Sequence, residues 1–312
     1  MTSTTYNIAC IGECMVEIAL LRDQASTAKV GFGGDTLNTA IYLARLAENS
    51  DIRAHYVTLL GDDPFSHQMR NAWSSEGVGC DLVEHLPGRE AGLYSISVDA
   101  HGERSFNYWR SHAPVREIFE GEAGLKRLDE LRQMEAIFFS GITLAILFEE
   151  SCDRLLDLCA EMKRAGKTVI FDSNYRPRLW QGRDPSSPYE KAFQASTLIL
   201  PSYEDLSDVF GSTEPASKER LEKYELPEIV LKNGGNSVDL FQVGQWQNIE
   251  LNQIELPIDT TAAGDSFNAG YIHARLTGAP VLEAIHQAHK LACRVINFPG
   301  AIIPKSEMPI KE

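Results

Sequence analysis

The stretch Asp259-Thr260-Thr261-Ala262-Ala263-Gly264-Asp265-Ser266-Phe267 holds the residue types from which a phosphate pocket with its own base can be built. Ahead of it, Ile254, Leu256 and Ile258 alternate with polar residues and predict an extended approach; behind it, Phe267, Ala269, Gly270, Ile272, Ala274 and Leu276 predict a buried helix. A chain that turns through small residues into a helix leaves several backbone N–H groups free where the helix dipole favours anions. Small side chains let a bulky anion approach that backbone. Asp265 needs a reason to be there, because a carboxylate repels phosphate. Taking the proton of an attacking hydroxyl is such a reason. A lone Gly-Asp is usually only a turn, so the whole stretch carries the argument.

Other polar clusters also sit where elements end. Gly31-Phe32-Gly33-Gly34-Asp35-Thr36-Leu37-Asn38 precedes an apolar set (Leu37, Ala40, Ile41, Ala44, Ala47) at helical spacing, which predicts glycines in a loop and a cap at Asp35 or Thr36. The strand 168–171 leads into Asp172-Ser173-Asn174-Tyr175-Arg176-Pro177-Arg178. The strand 228–232 leads into Asn233-Gly234-Gly235-Asn236-Ser237, a loop flexible enough to approach a nucleotide. Strand 196–200 precedes Pro201-Ser202-Tyr203-Glu204-Asp205, which begins a helix.

The elements that must position these clusters follow from periodicity. Strands are predicted over 6–11, 55–60 and 136–140, and a helix over 151–164 with Leu155, Leu158, Cys159 and Met162 on one face. The segment 15–32 wanders through few apolar residues and a polar stretch from Arg22 to Lys29. Residues 93–98 and 104–109 alternate across the turn Asp99-Ala100-His101-Gly102 and predict a hairpin; 238–243 and 246–251 predict another. A helix is expected from Val281 to about Asn297, with His286 and His289 on its polar face, and an extended close over 299–304. Strand–helix alternation predicts an α/β fold with a mainly parallel sheet, whose ligands collect at the carboxyl ends of the strands.

The 312 residues, 43% hydrophobic and 23% charged, fit a globular protein with a sizeable core. A net charge of −15 argues against a nucleic-acid partner. Six cysteines show no Cys-x-x-Cys pair and no zinc-ligand spacing; Cys10, Cys152, Cys159 and Cys293 are expected to be buried thiols. No run reaches the roughly 20 apolar residues of a membrane span, and no leader is recognised, so a cytoplasmic protein is expected.

The 259–265 phrase resembles the C-terminal motif D-T-x-G-A-G-D of the ribokinase-like (PfkB) sugar kinases, with Ala262 where many members have Gly. Gly33, Gly34 and Asn38 match the family's N-terminal G-G-x-x-x-N. The phrase GFGGDTLNTAIYLARL and Glu13-Cys14-Met15-Val16-Glu17 are similar to the branch acting on 2-keto-3-deoxygluconate. The resemblance runs from about Asn7 to Pro304. It implies a three-layer α/β/α sandwich as one domain over 1–312, with a β lid inserted from about 14–32 and 88–115. It implies Asp265 as base, with the backbone of Ala262, Ala263 and Gly264 as the anion hole. Gly33, Gly34, Asp35, Asn38, Tyr94, Tyr108, Arg110 and Arg176 would bind the sugar acid. Asn174, Arg176, Ser202, Lys232, Asn233, Gly234, Thr261 and Gly264 would bind ATP, and 299–304 would wall the nucleotide pocket.

The family's N-x-x-E motif is altered here, so either Asp205 or Glu204 would hold water around Mg2+. Arg178 is expected to be structural. The implied reaction is ATP-dependent phosphorylation of 2-keto-3-deoxy-D-gluconate at its 6-hydroxyl, by a homodimer or larger assembly. Fructokinase, ribokinase or 5-dehydro-2-deoxygluconokinase activity, or a non-catalytic sensor of sugar acid or nucleotide, are the competing expectations.

Overall fold

The computed structural model describes residues 5–20, 27–98, 104–254 and 256–309. Its larger sheet contains β1 (Tyr6–Ile11), β4 (Ile52–Gly61), β5 (Val83–Leu86), β8 (Ala136–Ser140), β9 (Thr168–Asp172), β10 (Leu198–Ile199), β11 (Glu228–Asn233), β12 (Ser237–Gln242) and β13 (Gln245–Glu250). The smaller sheet is made of β2 (Met15–Leu20), β3 (Ala28–Gly33), β6 (Leu93–Val98) and β7 (Arg104–Trp109).

The larger sheet runs β13-β12-β11-β10-β9-β8-β1-β4-β5, parallel except where β12 and β13 turn back at one edge. Its central strands are apolar throughout because both faces are covered. Successive residues feed opposite cores. Ile8, Cys10, Phe138 and Ile170 face the helices Asp35–Leu46, Pro64–Ser75, Ala263–Leu276 and Val281–Val295. Ala9, Ile11, Phe139 and Phe171 face the helices Gly121–Leu131, Glu149–Arg164, Ser186–Ala195 and Tyr203–Phe210. The result is a three-layer α/β/α sandwich.

Strand order also locates the cleft. From β1 the chain builds outward through β4 and β5, and from β8 it builds the other way through β9 to β11. The reversal lies between β1 and β8, where crossovers diverge and leave a crevice at the carboxyl ends. Glu13, Ser140 and Asp172 sit at or just past those ends.

Several local expectations need correction. Segment 15–32, read as wandering, supplies β2 and β3 of the smaller sheet, which pair from Met15↔Gly33 to Leu20↔Ala28; the Arg22 to Lys29 stretch lies partly outside the described residues, as does the 99–102 turn. Gly31 and Gly33 belong to β3 rather than to a loop, and only Gly34 turns into the helix. Neither Asp35 nor Thr36 caps that helix: Gly34 is the N-cap and provides no side chain. Among the described residues of 251–258, none is in a strand leading into Asp259. Leu256 and Ile258 are exposed and the segment follows an irregular path, its N–H groups at Ile258 and Asp259 donating to the Ile296 carbonyl instead of to a strand. Strand 196–200 shrinks to two residues, and 299–304 bends rather than extends. Cys293 is half-buried; Cys10, Cys152 and Cys159 are buried as expected, and all six cysteines are free.

Candidate active site

A cleft of about 1370 Å³ opens over the carboxyl ends of the larger sheet, with the smaller sheet along one side. Every residue singled out from the sequence for sugar, nucleotide, metal or base lines it, including Gly33, Asp35, Asn38, Tyr94, Tyr108, Arg110, Asn174, Arg176 and Asp265. The N-terminal and C-terminal motifs meet directly. Asn38 Nδ2 donates to Asp265 Oδ2 at 2.8 Å, and Thr39 Oγ1 donates to the Asp265 carbonyl at 3.2 Å.

The helix carrying Asp265 begins at Ala263, and its N-cap Ala262 is left-handed, at φ 60° and ψ 18°. That conformation costs an L-residue roughly 1–2 kcal/mol. It closes a turn in which Ala263 N–H donates to the Thr260 carbonyl at 3.2 Å, so this amide is already taken. Among the described residues, the N–H groups of Ala262, Gly264 and Asp265 have no protein acceptor. The expected trio 262–264 thus becomes Ala262, Gly264 and Asp265, still at a helix N-terminus suited to an anion. Thr261 turns its hydroxyl to Asp259 at 2.6 Å, and the other Asp259 oxygen accepts from Gly300 N–H at 2.9 Å, which ties the 299–304 segment to the motif.

Burial pushes the Asp265 carboxyl above the ordinary carboxylate range. The Asp35 carboxylate adds to the rise, the Asn38 hydrogen bond opposes it, and Asp172 contributes less. A carboxylate raised in this way holds a proton more readily near neutral pH than an ordinary aspartate.

The residues expected to bind a sugar lie mainly on the smaller sheet and the first helix. Tyr94 and Tyr108 pair across β6 and β7, with ring centroids 5.9 Å apart. Tyr94 O–H donates to Glu17, and its ring lies against Gly33, where a Cβ would be driven into the phenol oxygen. Arg110 forms an ion pair with the buried Glu13. Asp35 Oδ2 accepts from Ser140 Oγ at 2.6 Å and from Asn174 Nδ2 at 2.9 Å, so Asn174, expected on the nucleotide, is joined to the sugar side.

Arg176, expected on both sugar acid and ATP, is exposed on the cleft wall and bonds only to the Tyr175 carbonyl at 2.8 Å, with no ion pair among the described residues. Arg178 reaches the Phe106 carbonyl of β7 at 3.5 Å. Lys232, expected on phosphates, instead reaches Asp172 at 3.0 Å and Asn268 at 3.2 Å in the cleft floor. Burial raises the Asp172 carboxyl, and Lys232 partly offsets the rise.

Ser202 caps the helix Tyr203–Phe210 through Asp205 N–H at 3.1 Å. Asp205 accepts from Ser173 Oγ and Tyr175 N–H, which fixes the loop after β9, whereas Glu204 is exposed toward the cleft. Among the described residues no group of three or more His, Cys, Asp or Glu is arranged to hold a metal ion. His286 lies on the polar face as expected, but His289 lines the cleft beside Cys293, 3.3 Å from its sulfur.

Sequence reasoning missed Ser140, Asp172 and Asn268. Asn268 had a visible signal: it lies three residues after Asp265 on one helix, hence on the same face. Ser140 had none, because its partner is set by strand order.

The chain is 39% identical over 309 residues to the 2-dehydro-3-deoxygluconokinase of Escherichia coli K12, covering 97% of this chain and 98% of that protein. Its fold superposes on a 2-dehydro-3-deoxygluconokinase from Thermotoga maritima with a TM-score of 0.80 at 22% identity, over 96% and 95% of the two chains. It superposes equally, at 0.80 and 19% identity over 97% and 95%, on a fructokinase from Xylella fastidiosa solved with bound ATP. No helix among the described residues is long and apolar enough to cross a membrane. The family model for pfkB carbohydrate kinases matches residues 5–308, nearly the whole chain, and the chain belongs to that family of ribokinase-like enzymes.

Proposed function

We propose that this kinase transfers the γ-phosphoryl group of ATP to the 6-hydroxyl of 2-keto-3-deoxy-D-gluconate. One observation carries the reading: a carboxylate with a raised proton affinity is held by Asn38 beside unsatisfied helix amides, in a cleft that Arg110 and Arg176 also line. The name of the Escherichia coli relative, similar over nearly its whole length, supports the same substrate.

Asp265 accepts the hydroxyl proton, and the amides of Ala262, Gly264 and Asp265 stabilise charge developing on the transferred group. Gly33, Gly34, Asp35, Asn38 and Tyr94 bind the sugar hydroxyls, while Tyr108, Arg110 and Arg176 face its acid end. Asn233, Gly234, Ser202 and Thr261 border the nucleotide. Lys232 holds the floor beneath it. Glu204 would hold Mg2+, since Asp205 is engaged in the loop, and the ion would supply neutralisation of phosphate charge when bound with ATP. The smaller sheet acts as a lid that excludes water. A cytoplasmic homodimer or larger assembly completes the reading, with Trp109 60% exposed on the edge strand β7 as the natural contact.

Turnover compared on 2-keto-3-deoxygluconate, fructose and ribose tests the substrate. We expect a strong preference for the acid, because each charge-assisted contact to its carboxylate contributes about 1.5–3 kcal/mol. Preference for a neutral sugar refutes the assignment.

A further inference from the structure

The guanidinium assigned to the substrate's carboxylate already faces one. Glu13 follows β1 directly, its side chain is 3% exposed, and it pairs with Arg110, itself 11% exposed. Both line the cleft. Backbone passes close to Glu13 on two sides, at Gly92 and Gly34. A Cβ at Gly92 would lie 2.8 Å from Glu13 Oε1 and 3.3 Å from Arg110 Cβ, and a Cβ at Gly34 would run into the Glu13 carbonyl oxygen. A sugar acid that docks on Arg110 therefore meets a buried carboxylate already paired with it.

Two carboxylates within reach of one cation, away from water, cannot both stay ionised cheaply; one takes a proton. The charged groups facing Glu13 divide. Arg110 and, from the short turn Pro114–Glu117, Arg116 favour its ionised form, while Asp35 at the head of the first helix disfavours it. Burial is the largest influence and also opposes the charge, so Glu13 starts out raised. A second carboxylate on Arg110 raises it further.

Building on the sugar-acid reading above, we propose that Glu13 is a specificity-determining residue that takes up one proton from solvent when the substrate's carboxylate docks on Arg110. Protonated, its O–H becomes a donor to the substrate carboxylate, so repulsion turns into a hydrogen bond. A neutral sugar leaves the Glu13–Arg110 pair ionised and no proton moves.

Isothermal titration of the full-length enzyme with 2-keto-3-deoxygluconate, in two buffers of different ionisation enthalpy at one pH, measures that proton directly. Wild type is expected to take up a fraction of a proton per site with the acid and none with fructose. Glu13→Gln mimics the protonated side chain and is expected to take up none with either. Its KM for the acid should be flat with pH, whereas the wild-type KM rises with pH by up to about tenfold per unit, the limit for one linked proton.

Uptake that persists in Glu13→Gln, or that appears equally with fructose, assigns the proton elsewhere, Asp265 being the obvious group, and overturns the proposal. Absence of uptake in wild type overturns it without any variant, so a poorly folding Glu13→Gln does not shield it. An enzyme that phosphorylates the acid without linked protons refutes only the role of Glu13. One that ignores the acid refutes the substrate assignment as well.

Discussion

Gly264 offers a clean separation of what the fold needs from what a phosphoryl group needs. It occupies the first turn of the helix Ala263–Leu276 without a positive φ, and a Cβ built there meets no protein atom within 4 Å. Nothing in the folded chain therefore requires glycine. Within a helix glycine is even unfavourable, by roughly 0.5–1 kcal/mol relative to alanine. The space above its Cα belongs to the cleft, directly over the free amides. A methyl group there would hold an incoming phosphate away from those N–H groups. A misplacement of about 1 Å costs roughly 10²-fold, and losing a preorganised donor costs about 10²–10³ in kcat.

Gly264→Ala is thus expected to unfold at the wild-type temperature or up to about 2 °C higher, the scale of 1 kcal/mol or less in a chain of this size. Its phosphoryl-transfer rate, followed by ADP release with saturating sugar acid, should fall about 10²-fold or more. Gly34→Ala is the contrast: its Cβ strikes the Glu13 carbonyl, so stability falls along with activity. A Gly264→Ala enzyme working within a few-fold of wild type would refute the phosphate site at this helix.

Four further outcomes are expected. Asp265→Asn keeps an acceptor for Asn38 but removes the base, so the rate falls by roughly 10²–10⁴. Because the folded-state carboxyl is raised, its stabilising protonated form is fully present below the unfolded value of about 3.9 and is lost as pH rises through the folded value. At neutral pH the variant should therefore be more stable than wild type, with the gap closing below about pH 4 in thermal unfolding scans. In the same titration frame, the acid limb of kcat/KM for wild type should lie above the ordinary carboxylate range; Asn38→Ala should move it up and Asp35→Asn down, read from pH–rate profiles. Ala262→Gly relieves the left-handed alanine and, after the larger entropy of an unfolded glycine chain, should gain up to about 1 kcal/mol with activity kept, measured by urea unfolding. Asp205→Asn should destabilise, since its oxygens hold Ser173 and Tyr175, whereas Glu204→Gln should leave the unfolding temperature unchanged and raise the Mg2+ concentration needed for activity.

The sequence alone determined the elements and where the chemistry lies along the chain. Residues 93–98, 104–109 and 136–140 form the strands their alternation or apolar runs predict, and the Gly-Gly and Gly-Asp phrases both border the cleft. Such features are written in neighbouring residues, through side-chain period and turn chemistry. Only the tertiary structure decided which polar groups satisfy one another. Asn38 meets Asp265 across 227 positions, Asn174 meets Asp35 across 139, and Ser140 meets Asp35 across 105. Lys232 turns to Asp172 and Asn268 instead of outward, and Ala262 takes a conformation its own type disfavours. A hydrogen bond is decided over tenths of an ångström between elements that the strand order brings side by side, and no local pattern carries that distance.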